Sequence, residues 1–289
     1  MKDISGTTRI CGLIGNPVEH TKSPIIHNTL AEELGIDLCY GAFRVDDDKV
    51  EDAIKGAYAL NILGMNVTVP YKSRVIASLS DIDPLAKKIG AVNTLVRTEG
   101  GFKGYNTDMP GLYRAMCYDG VDIRNEKVVI LGAGGVARAV LMMLIEKGAK
   151  EIVIVNRTIE KAREIMEEAY KFADRERQSI KAVSVEEFIS DASDKEYIAI
   201  QATSVGMYPN VDCSPCEDPS FYEKVKAGYD LIFNPEETLF MKMVRESGGK
   251  AYNGLKMLLY QGIIAFELWT GEKVSDDLAD KILQKMKHS

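Results

Sequence analysis

The sequence has few of the residues that build disulfide-linked, metal-rich or membrane-spanning proteins. Its 289 residues include five cysteines, three histidines and one tryptophan. An odd number of scattered cysteines forms no disulfide framework and is typical of reduced thiols. No apolar run approaches the roughly 20 residues that cross a bilayer, and the polar segment 1–8 lacks the apolar stretch of a secretory signal. We therefore expect a cytoplasmic protein without a membrane partner.

Basic residues are outnumbered as well. The chain has 36 Lys and Arg against 43 Asp and Glu, which gives a net charge of -7. A general nucleic-acid binder uses Lys and Arg to neutralise phosphates, so the sequence predicts no nucleic-acid partner. The acidic net charge still allows a local basic pocket for one phosphate. The hydrophobic fraction of 46% is typical of a folded globular chain. At roughly 150 residues per domain, the length indicates about two domains.

Short apolar runs alternate with helical patterns along the chain. In the first region, strands are expected at 10–14, 39–45 and 64–69, and a hairpin around Glu99-Gly100-Gly101. The second region is more regular, with helices at 135–147 and 159–173 between apolar strands at 127–131, 151–155, 197–202 and 229–233. Apolar strands separated by helices predict a parallel sheet covered on both faces. The expected fold class is α/β, with domain boundaries near residues 109 and 253.

A glycine-rich turn follows the first strand of the second region. The apolar strand leads directly into Gly132-Ala133-Gly134-Gly135-Val136-Ala137, which has G-x-G-x-x-A spacing. Gly132 allows the tight turn, Gly134 lets the backbone approach a pyrophosphate, and Ala137 permits close helix–strand packing. Backbone N–H groups at the helix start then face the phosphates. A glycine-rich turn without a ligand is the alternative, but the strand–turn–helix setting favours a dinucleotide.

The end of the next strand bears on which dinucleotide is bound. NAD sites usually have Asp or Glu there to bind the ribose 2′-hydroxyl. This chain has Asn156-Arg157-Thr158, with Lys161 one helical turn further. Arg157 and Lys161 would attract a 2′-phosphate, and Arg can also stack on an adenine face. The pattern favours NADP over NAD; an exposed helix start with ordinary basic residues is the alternative.

Two charged residues are candidates for proton transfer. Lys72 follows a strand that is ended by Pro70, and Asp108 follows the predicted hairpin. A Lys ammonium donates to a developing alkoxide, and a carboxylate partner orients it. From spacing alone, however, two unrelated surface charges are the better interpretation.

A series of motifs resembles the shikimate dehydrogenase family, in the same order from residue 15 to about 271. These motifs are Gly15-x-Pro17-x-x-His20-x-x-Ser23-Pro24-x-x-His27-Asn28, the segment 66–72, Gly90-Ala91-Val92-Asn93-Thr94, Asn106-Thr107-Asp108, the glycine loop, Asn156-Arg157-Thr158, Thr203-Ser204-x-Gly206-Met207, Asn234-Pro235 and Gly254-x-x-Met257-Leu258-x-x-Gln261-Gly262.

The resemblance implies NADP-linked interconversion of 3-dehydroshikimate and shikimate, a step of chorismate and aromatic amino-acid biosynthesis. It implies an α/β substrate-binding domain, 1–108 plus 254–289, and a Rossmann dinucleotide-binding domain, 109–253, with the active site in the cleft. By position, Lys72 and Asp108 match the catalytic pair. The residues that match substrate-binding positions are Thr21, Ser23, Asn66, Thr68, Asn93 and Gln261. Those that match NADP-binding positions are Gly132, Ala133, Gly134, Gly135, Asn156, Arg157, Thr158, Lys161, Thr203, Leu231, Gly254 and Met257.

Three residues depart from the family pattern. The first hydroxyl of the serine pair is Thr21, which leaves the preference between shikimate and quinate open. Gln201 stands where Asn is frequent, and Phe233 where Tyr is common. Thr21 keeps open a quinate/shikimate dehydrogenase that uses NAD or NADP. Two further alternatives are a non-catalytic NADP-binding regulator and a folate-linked NADP reductase. A homodimer is also an open expectation.

No metal site is expected. Cys213-x-x-Cys216 lacks two further ligands at suitable spacing, so we expect incidental thiols in a surface loop. His20 and His27 flank a helix start without a third ligand, and polar packing is the expected role for them.

Overall fold

The computed structural model describes residues 4–174 and 176–288. These residues form two compact units. Unit 1 contains the chain up to Gly111 and from Leu258 onward, and unit 2 is Leu112–Met257. Which ligand each unit binds stays a prediction at this point.

Unit 1 contains a six-stranded mixed sheet. Its elements are β1 (Arg9–Gly15), α1 (Ser23–Glu33), β2 (Leu38–Arg44), α2 (Val50–Ala59), β3 (Gly64–Val67), β4 (Asp81–Ile82), α3 (Pro84–Ile89), β5 (Thr94–Thr98) and β6 (Gly101–Tyr105), with 3₁₀ turns at Asp47–Lys49 and Arg74–Ser78. The strand order is β2-β1-β3-β5-β6-β4. β1 is parallel to β2 and β3, whereas β5 and β6 form the expected antiparallel hairpin.

Three further helices contribute to unit 1. They are α4 (Asp108–Tyr118), α10 (Leu255–Thr270) and α11 (Asp276–Lys287), of which the first two contain a unit boundary. Pro24 lies in the first turn of α1, where its missing N–H costs no helical hydrogen bond. The Ser275 side chain caps α11 by accepting from Leu278 N.

Unit 2 contains a six-stranded sheet in which every neighbouring pair is parallel. Its elements are β7 (Lys127–Leu131), α5 (Gly135–Lys147), β8 (Glu151–Val155), α6 (Ile159–Ala169), β9 (Ser179–Val183), α7 (Val185–Asp191), β10 (Tyr197–Gln201), α8 (Pro219–Glu223), β11 (Val225–Asp230), α9 (Leu239–Glu246) and β12 (Lys250–Tyr252). The predicted parallel sheet is confirmed.

The strand order of unit 2 places a binding crevice. The order is β9-β8-β7-β10-β11-β12, so the chain direction across the sheet reverses between β7 and β10. This is the doubly wound order in which dinucleotides bind beyond the carboxyl ends of the two central strands. The glycine loop follows β7 and Thr203 follows β10, so both lie at that edge.

Two elements have bounds that differ by three residues or more from the sequence expectation. The strand expected at 229–233 has the wrong bounds, because β11 begins at Val225 and ends at Asp230. The Asp230 carboxylate accepts the Ile232 N–H at 2.9 Å and turns the chain out of the sheet. The helix expected at 159–173 ends at Ala169, beyond which Lys171 and Phe172 N–H groups bond three residues back.

In the described ranges, 4–174 and 176–288, no helix is both long enough and apolar enough to span a membrane.

Candidate functional site

The two candidate catalytic residues meet in unit 1. Lys72 Nζ donates to Asp108 Oδ2 at 2.7 Å. The Lys72 side chain is 33% exposed and that of Asp108 is 17% exposed. The pair is therefore reachable by a small molecule yet partly shielded from water, which strengthens the ion pair relative to one on an open surface. The interpretation as unrelated surface charges is wrong.

Buried neighbours hold each member of this pair. Tyr71 is fully buried and its hydroxyl donates to Val45 O at 2.6 Å, which anchors the turn that carries Lys72. The Lys72 carbonyl accepts the Val92 N–H at 2.7 Å. Asp108 is the first residue of α4, where the positive end of the helix dipole stabilises a carboxylate.

Asn93 is the centre of a hydrogen-bond network beside this pair. Its Oδ1 accepts the Thr107 N–H at 2.7 Å and lies 3.1 Å from Thr94 Oγ1, which donates to it. Thr94 and Thr107 also bond to each other through their hydroxyls at 3.0 Å. Because Asn93 Oδ1 is fully used, the amide N–H groups of Asn93 are the atoms left to bind a ligand.

Asn66 extends the network on the other side. Its Nδ2 donates to Asn93 O at 3.2 Å and to Thr94 Oγ1 at 3.1 Å. Its Oδ1 accepts from the Tyr40 hydroxyl at 2.7 Å. Thr94, Thr107 and Tyr40 were not predicted as site residues. The two threonines lie in the quoted Asn-Thr motifs, but nothing in the sequence marks Tyr40.

The predicted hydroxyl pair lies at the start of α1. Thr21 Oγ1 donates to Ser23 Oγ at 3.2 Å and also accepts the Ser23 N–H. Burial raises the pKa of the Tyr40 hydroxyl, and the Ser23 hydroxyl next to it partly opposes that rise. Ser23 is therefore a neighbour of Tyr40, which in turn contacts Asn66. The structure brings Thr21, Ser23, Asn66 and Asn93 into one polar system.

The remaining two predicted substrate residues have weaker connections to this network. Gln261 on α10 donates from Nε2 to Leu258 O at 2.8 Å. Its backbone lies so close to α4 that a Cβ at Gly111 would meet Gln261 N at 2.6 Å, so only glycine fits at 111. The Thr68 hydroxyl has no hydrogen bond within residues 4–174 and 176–288, and its methyl group packs on Gly15.

His27 lies under this network beside the Asn66 side chain, but no hydrogen bond of ordinary geometry joins the two. The ring is fully buried, stacks on Tyr40 at 4.2 Å and contacts Trp269 at 5.0 Å. Neither ring nitrogen has a hydrogen-bond partner in the described part of the chain. Burial lowers the pKa of the imidazole to about 3. The expectation of polar packing is wrong for His27, because its ring packs on aromatic rings and makes no hydrogen bond within the described residues.

The glycine loop of unit 2 has the geometry that a pyrophosphate needs. Gly132 has φ of +114°, a conformation that L side chains rarely adopt. Gly134 precedes α5 without any side-chain cap, and at Gly134 and Gly135 no atom lies where a Cβ would be built. The first N–H groups of α5 are therefore open to a ligand's phosphates. Ala133 lies between Gly132 and Gly134 in the same turn.

A cavity of about 570 Å³ lies at the carboxyl ends of the unit 2 strands. Its lining residues are Leu131, Gly132, Val155, Asn156, Arg157, Ser184, Val185, Glu186, Thr203, Val205, Ser214 and Pro215. Four predicted cofactor residues, Gly132, Asn156, Arg157 and Thr203, are among them. Sequence reasoning did not select the segment at 184–186, which follows the short strand β9.

Two basic side chains, Arg157 in the cavity lining and Lys161 on the first turn of α6, are available for a phosphate. Arg157 and Lys161 are exposed, and neither has an ion-pair partner within the described residues. Asn156 Nδ2 donates to Thr158 O at 2.8 Å, which shapes the turn before α6. The residues present therefore fit a dinucleotide that carries a 2′-phosphate.

Further predicted cofactor residues follow the last three strands of unit 2: Thr203 follows β10, Leu231 follows β11, and Gly254 and Met257 follow β12. Gln201 accepts the Thr203 N–H at Oε1 and donates to Val205 O at 2.9 Å, so the longer amide closes this turn. Gly254 packs against the Leu231 carbonyl and donates its N–H to Ile232 O. Met257 is partly exposed on α10.

The Cys-x-x-Cys segment divides into one exposed and one buried thiol. Cys213 is exposed, whereas Cys216 is 5% exposed and packs in the unit 2 core. Burial raises the pKa of the Cys216 thiol to about 11. The expectation of two incidental surface thiols is therefore wrong for Cys216. In the part of the chain that the structure describes, no group of three or more His, Cys, Asp or Glu residues is arranged to hold a metal.

Three family models match the sequence. Residues 13–95 match the shikimate dehydrogenase substrate binding domain, residues 117–206 match shikimate / quinate 5-dehydrogenase, and residues 254–284 match the shikimate 5′-dehydrogenase C-terminal domain. The three matches follow one another in the order in which the motifs occur.

Individual relatives agree with these models. The shikimate dehydrogenase (NADP(+)) of Caldanaerobacter subterraneus is 43% identical over 286 residues, 98% of this chain and 99% of the relative. The crystal structure of shikimate 5-dehydrogenase from Listeria monocytogenes with shikimate and NAD has a TM-score of 0.88 at 32% identity, covering 98% and 99% of the two chains. The Thermus thermophilus enzyme with NADP(H) and shikimate has a TM-score of 0.82 at 30% identity, covering 96% and 99%.

Proposed function

The chain belongs to the shikimate dehydrogenase family, and from this premise we propose that Lys72 and Asp108 carry its chemistry. The reaction is the reversible NADP-dependent reduction of 3-dehydroshikimate to shikimate, a step of aromatic amino-acid biosynthesis. The observation that carries the assignment is the 2.7 Å contact between Lys72 Nζ and Asp108 Oδ2 beside a network of neutral polar side chains.

Lys72 is proposed to handle the proton at the reacting oxygen. In the reductive direction its ammonium donates a hydrogen bond to the ketone oxygen and then the proton as negative charge develops there. In the reverse direction the same nitrogen takes the proton from the alcohol. Asp108 holds Lys72 in place through their ion pair, and the N-terminus of α4 supports the Asp108 carboxylate.

The substrate is a small acid with several hydroxyl groups, and the network of unit 1 is suited to it. Thr21 and Ser23 are proposed to bind the carboxylate with their hydroxyls, while Asn66, Thr68, Asn93 and Gln261 bind the ring hydroxyls or the carboxylate. Such neutral donors and acceptors discriminate strongly, because an analogue that leaves a buried polar group unpaired is penalised. Thr21 and Ser23 already share a hydrogen bond, so the pair is ordered before a ligand binds.

The residues proposed to hold NADP lie in unit 2. The glycine loop at 132–135 binds the pyrophosphate, and Arg157 with Lys161 binds the 2′-phosphate beside Asn156 and Thr158. Thr203, Leu231, Gly254 and Met257 are assigned to the remainder of the cofactor. Bound NADPH supplies the hydride. The solved relatives hold NAD in one case and NADP(H) in the other. For this chain, the exposed cations Arg157 and Lys161 support NADP.

Location and assembly complete the proposal. We place the enzyme in the cytoplasm. We also propose that it has no nucleic-acid partner, which the net charge of -7 supports. A homodimer stays an open expectation that sedimentation velocity at micromolar concentration would decide.

Initial rates followed by nicotinamide absorbance test the proposed function. Shikimate and quinate are each paired with NADP⁺ and with NAD⁺. We expect turnover mainly with shikimate and NADP⁺, in which case Thr21 is a tolerated variant of the hydroxyl pair. Comparable rates with quinate or NAD⁺ would favour the dual-specificity enzyme. Tight NADPH binding without turnover in any pair would favour the non-catalytic regulator and contradict the assignment of Lys72 and Asp108.

A further inference from the structure

Tyr40 lies between two groups of the proposed substrate site and matches no motif of the sequence. It is on β2, its side chain is 3% exposed, and its hydroxyl donates to Asn66 Oδ1 at 2.7 Å. The Ser23 hydroxyl is its other polar neighbour. One buried phenol thus adjoins both the hydroxyl pair and the amide of Asn66.

The Asn93 carbonyl fixes which way the Asn66 amide points, and the Tyr40 hydroxyl then donates to the Oδ1 that faces it. On the opposite side, Asn66 Nδ2 donates to the Asn93 carbonyl and to Thr94 Oγ1. A rotated amide would place Oδ1 against the Asn93 carbonyl, where two acceptors repel. With Nδ2 occupied and one lone pair of Oδ1 taken by Tyr40, the second lone pair of Oδ1 is what Asn66 offers to a ligand hydroxyl.

The Tyr40 ring is itself held by aromatic contacts. His27 stacks on it at 4.2 Å with an interplanar angle of 19°, and Trp269 lies 6.1 Å away. Trp269 Nε1 donates to Leu95 O at 2.9 Å, which ties this aromatic group to β5. The phenol is therefore pre-positioned, and little conformational entropy is lost when Asn66 binds a ligand.

We propose that Tyr40 is a positioning residue for the substrate, which holds Asn66 through its hydroxyl and acts through that side chain. The proposal rests on the proposed function, since Asn66 is assigned there to bind shikimate. It adds a second layer behind Asn66, because Tyr40 is on β2 whereas Asn66 is on β3.

Tyr40→Phe tests this role because it removes one oxygen and keeps the stacked ring. We expect the KM for shikimate, and its Kd by calorimetry, to rise about tenfold, as removal of one hydrogen bond to a binding group does. The KM for NADP⁺ is expected to stay unchanged. Tyr58→Phe is the matched control, because Tyr58 donates to the Thr98 and Glu99 carbonyls away from the network, and it should leave both KM values unaltered.

A double-mutant cycle separates positioning from general stabilisation. In an Asn66→Ala background, Tyr40→Phe should no longer change the KM for shikimate, because the group through which most of its effect passes is gone. A thermal unfolding midpoint is recorded for every variant.

Three results would overturn the proposal: a Y40F enzyme with the wild-type KM for shikimate, equal losses in both KM values, or an unchanged effect of Y40F in the N66A background. Wild-type protein that fails to oxidise shikimate would instead contradict the proposed function. Wild-type turnover is measured first, so the two failures are distinguishable.

Discussion

Single side chains of the candidate site owe their binding capacity to hydrogen bonds that they already make. Asn93 Oδ1 is occupied by Thr107 N and Thr94 Oγ1, so Asn93 can only donate further. Asn66 has the opposite polarity, because its Nδ2 is occupied. Two asparagines thus differ in the chemistry they offer, and the difference comes from their neighbours.

Arg157 should control the choice between NADP and NAD. Arg157→Ala removes an exposed cation that has no ion-pair partner in the described chain. We expect the KM for NADP⁺ to rise about tenfold, the size of one charge-assisted hydrogen bond at a solvated site. The KM for NAD⁺, which lacks the 2′-phosphate, should change little. Steady-state rates at saturating shikimate measure both.

Arg163→Ala is the matched control, since Arg163 is an exposed arginine two residues beyond Lys161, on another face of α6. Equal losses with NADP⁺ and NAD⁺ in the Arg157 variant would show that Arg157 does not read the 2′-phosphate.

The sequence allowed prediction of residues whose role is carried by an ordered motif, but not of those selected by packing. Lys72 and Asp108 are 36 residues apart, and spacing alone favoured two unrelated charges. The motif series paired them, and the contact confirms that they meet. Tyr40 could not be predicted, because its position beside Asn66 depends on the pairing of β2 with β1 and of β1 with β3.

At the scale of elements, helix α1 is joined to β2 and α10 by one buried imidazole. His27 on α1 stacks on Tyr40 of β2 and contacts Trp269 of α10. Its pKa is lowered to about 3 by burial, against an ordinary value of about 6.5. The unfolded chain therefore binds the proton more readily, so this contribution to stability is complete above pH 6.5 and is lost as the pH falls toward 3.

His27→Phe should remove this acid sensitivity while keeping an aromatic ring in the stack. Between pH 7 and pH 4.5 the wild-type free energy of unfolding should fall by about 3 kcal/mol more than that of the variant. Urea unfolding at both pH values measures the difference. His20→Asn, at an exposed histidine, should retain the wild-type slope. A His27→Phe protein with the wild-type pH dependence would contradict the account.

Long, apolar elements were predictable, and short ones that depend on partners were not. The strands β7 and β8 and the helix α5 have the expected bounds, because continuous apolar runs are bounded by glycine and charged residues. The three-residue β12 exists only through pairing with β11. Helix α7 was missed although a capping box of Ser184 and Glu187 starts it.

At the scale of the whole molecule, each unit has its own sheet and its own set of candidate ligand groups. The polar network of Lys72, Asp108, Asn66 and Asn93 lies in unit 1. The glycine loop and the cavity lie in unit 2. The parallel sheet of unit 2 followed from its apolar strands. The mixed sheet of unit 1 did not, because strand direction there depends on pairing between distant segments.

Hydrogen exchange followed by mass spectrometry should separate the two ligand sites. Shikimate alone is expected to slow exchange in peptides covering 66–72 and 91–108, since ligand binding suppresses local opening. NADP⁺ alone should slow exchange in peptides covering 132–138 and 156–161. Protection of the glycine loop by shikimate alone, or of 66–72 by NADP⁺ alone, would contradict the assignment of substrate to unit 1 and cofactor to unit 2.

The central claim, that Lys72 performs the proton transfer, is tested most directly by the Lys72→Met enzyme. Single-turnover rates of NADPH oxidation with 3-dehydroshikimate are compared with the wild type, and shikimate affinity is measured by calorimetry. We predict a rate about a thousandfold lower, the range of a lost general acid, with binding of shikimate largely retained. A Lys72→Met enzyme that turns over at the wild-type rate would show that another group moves the proton.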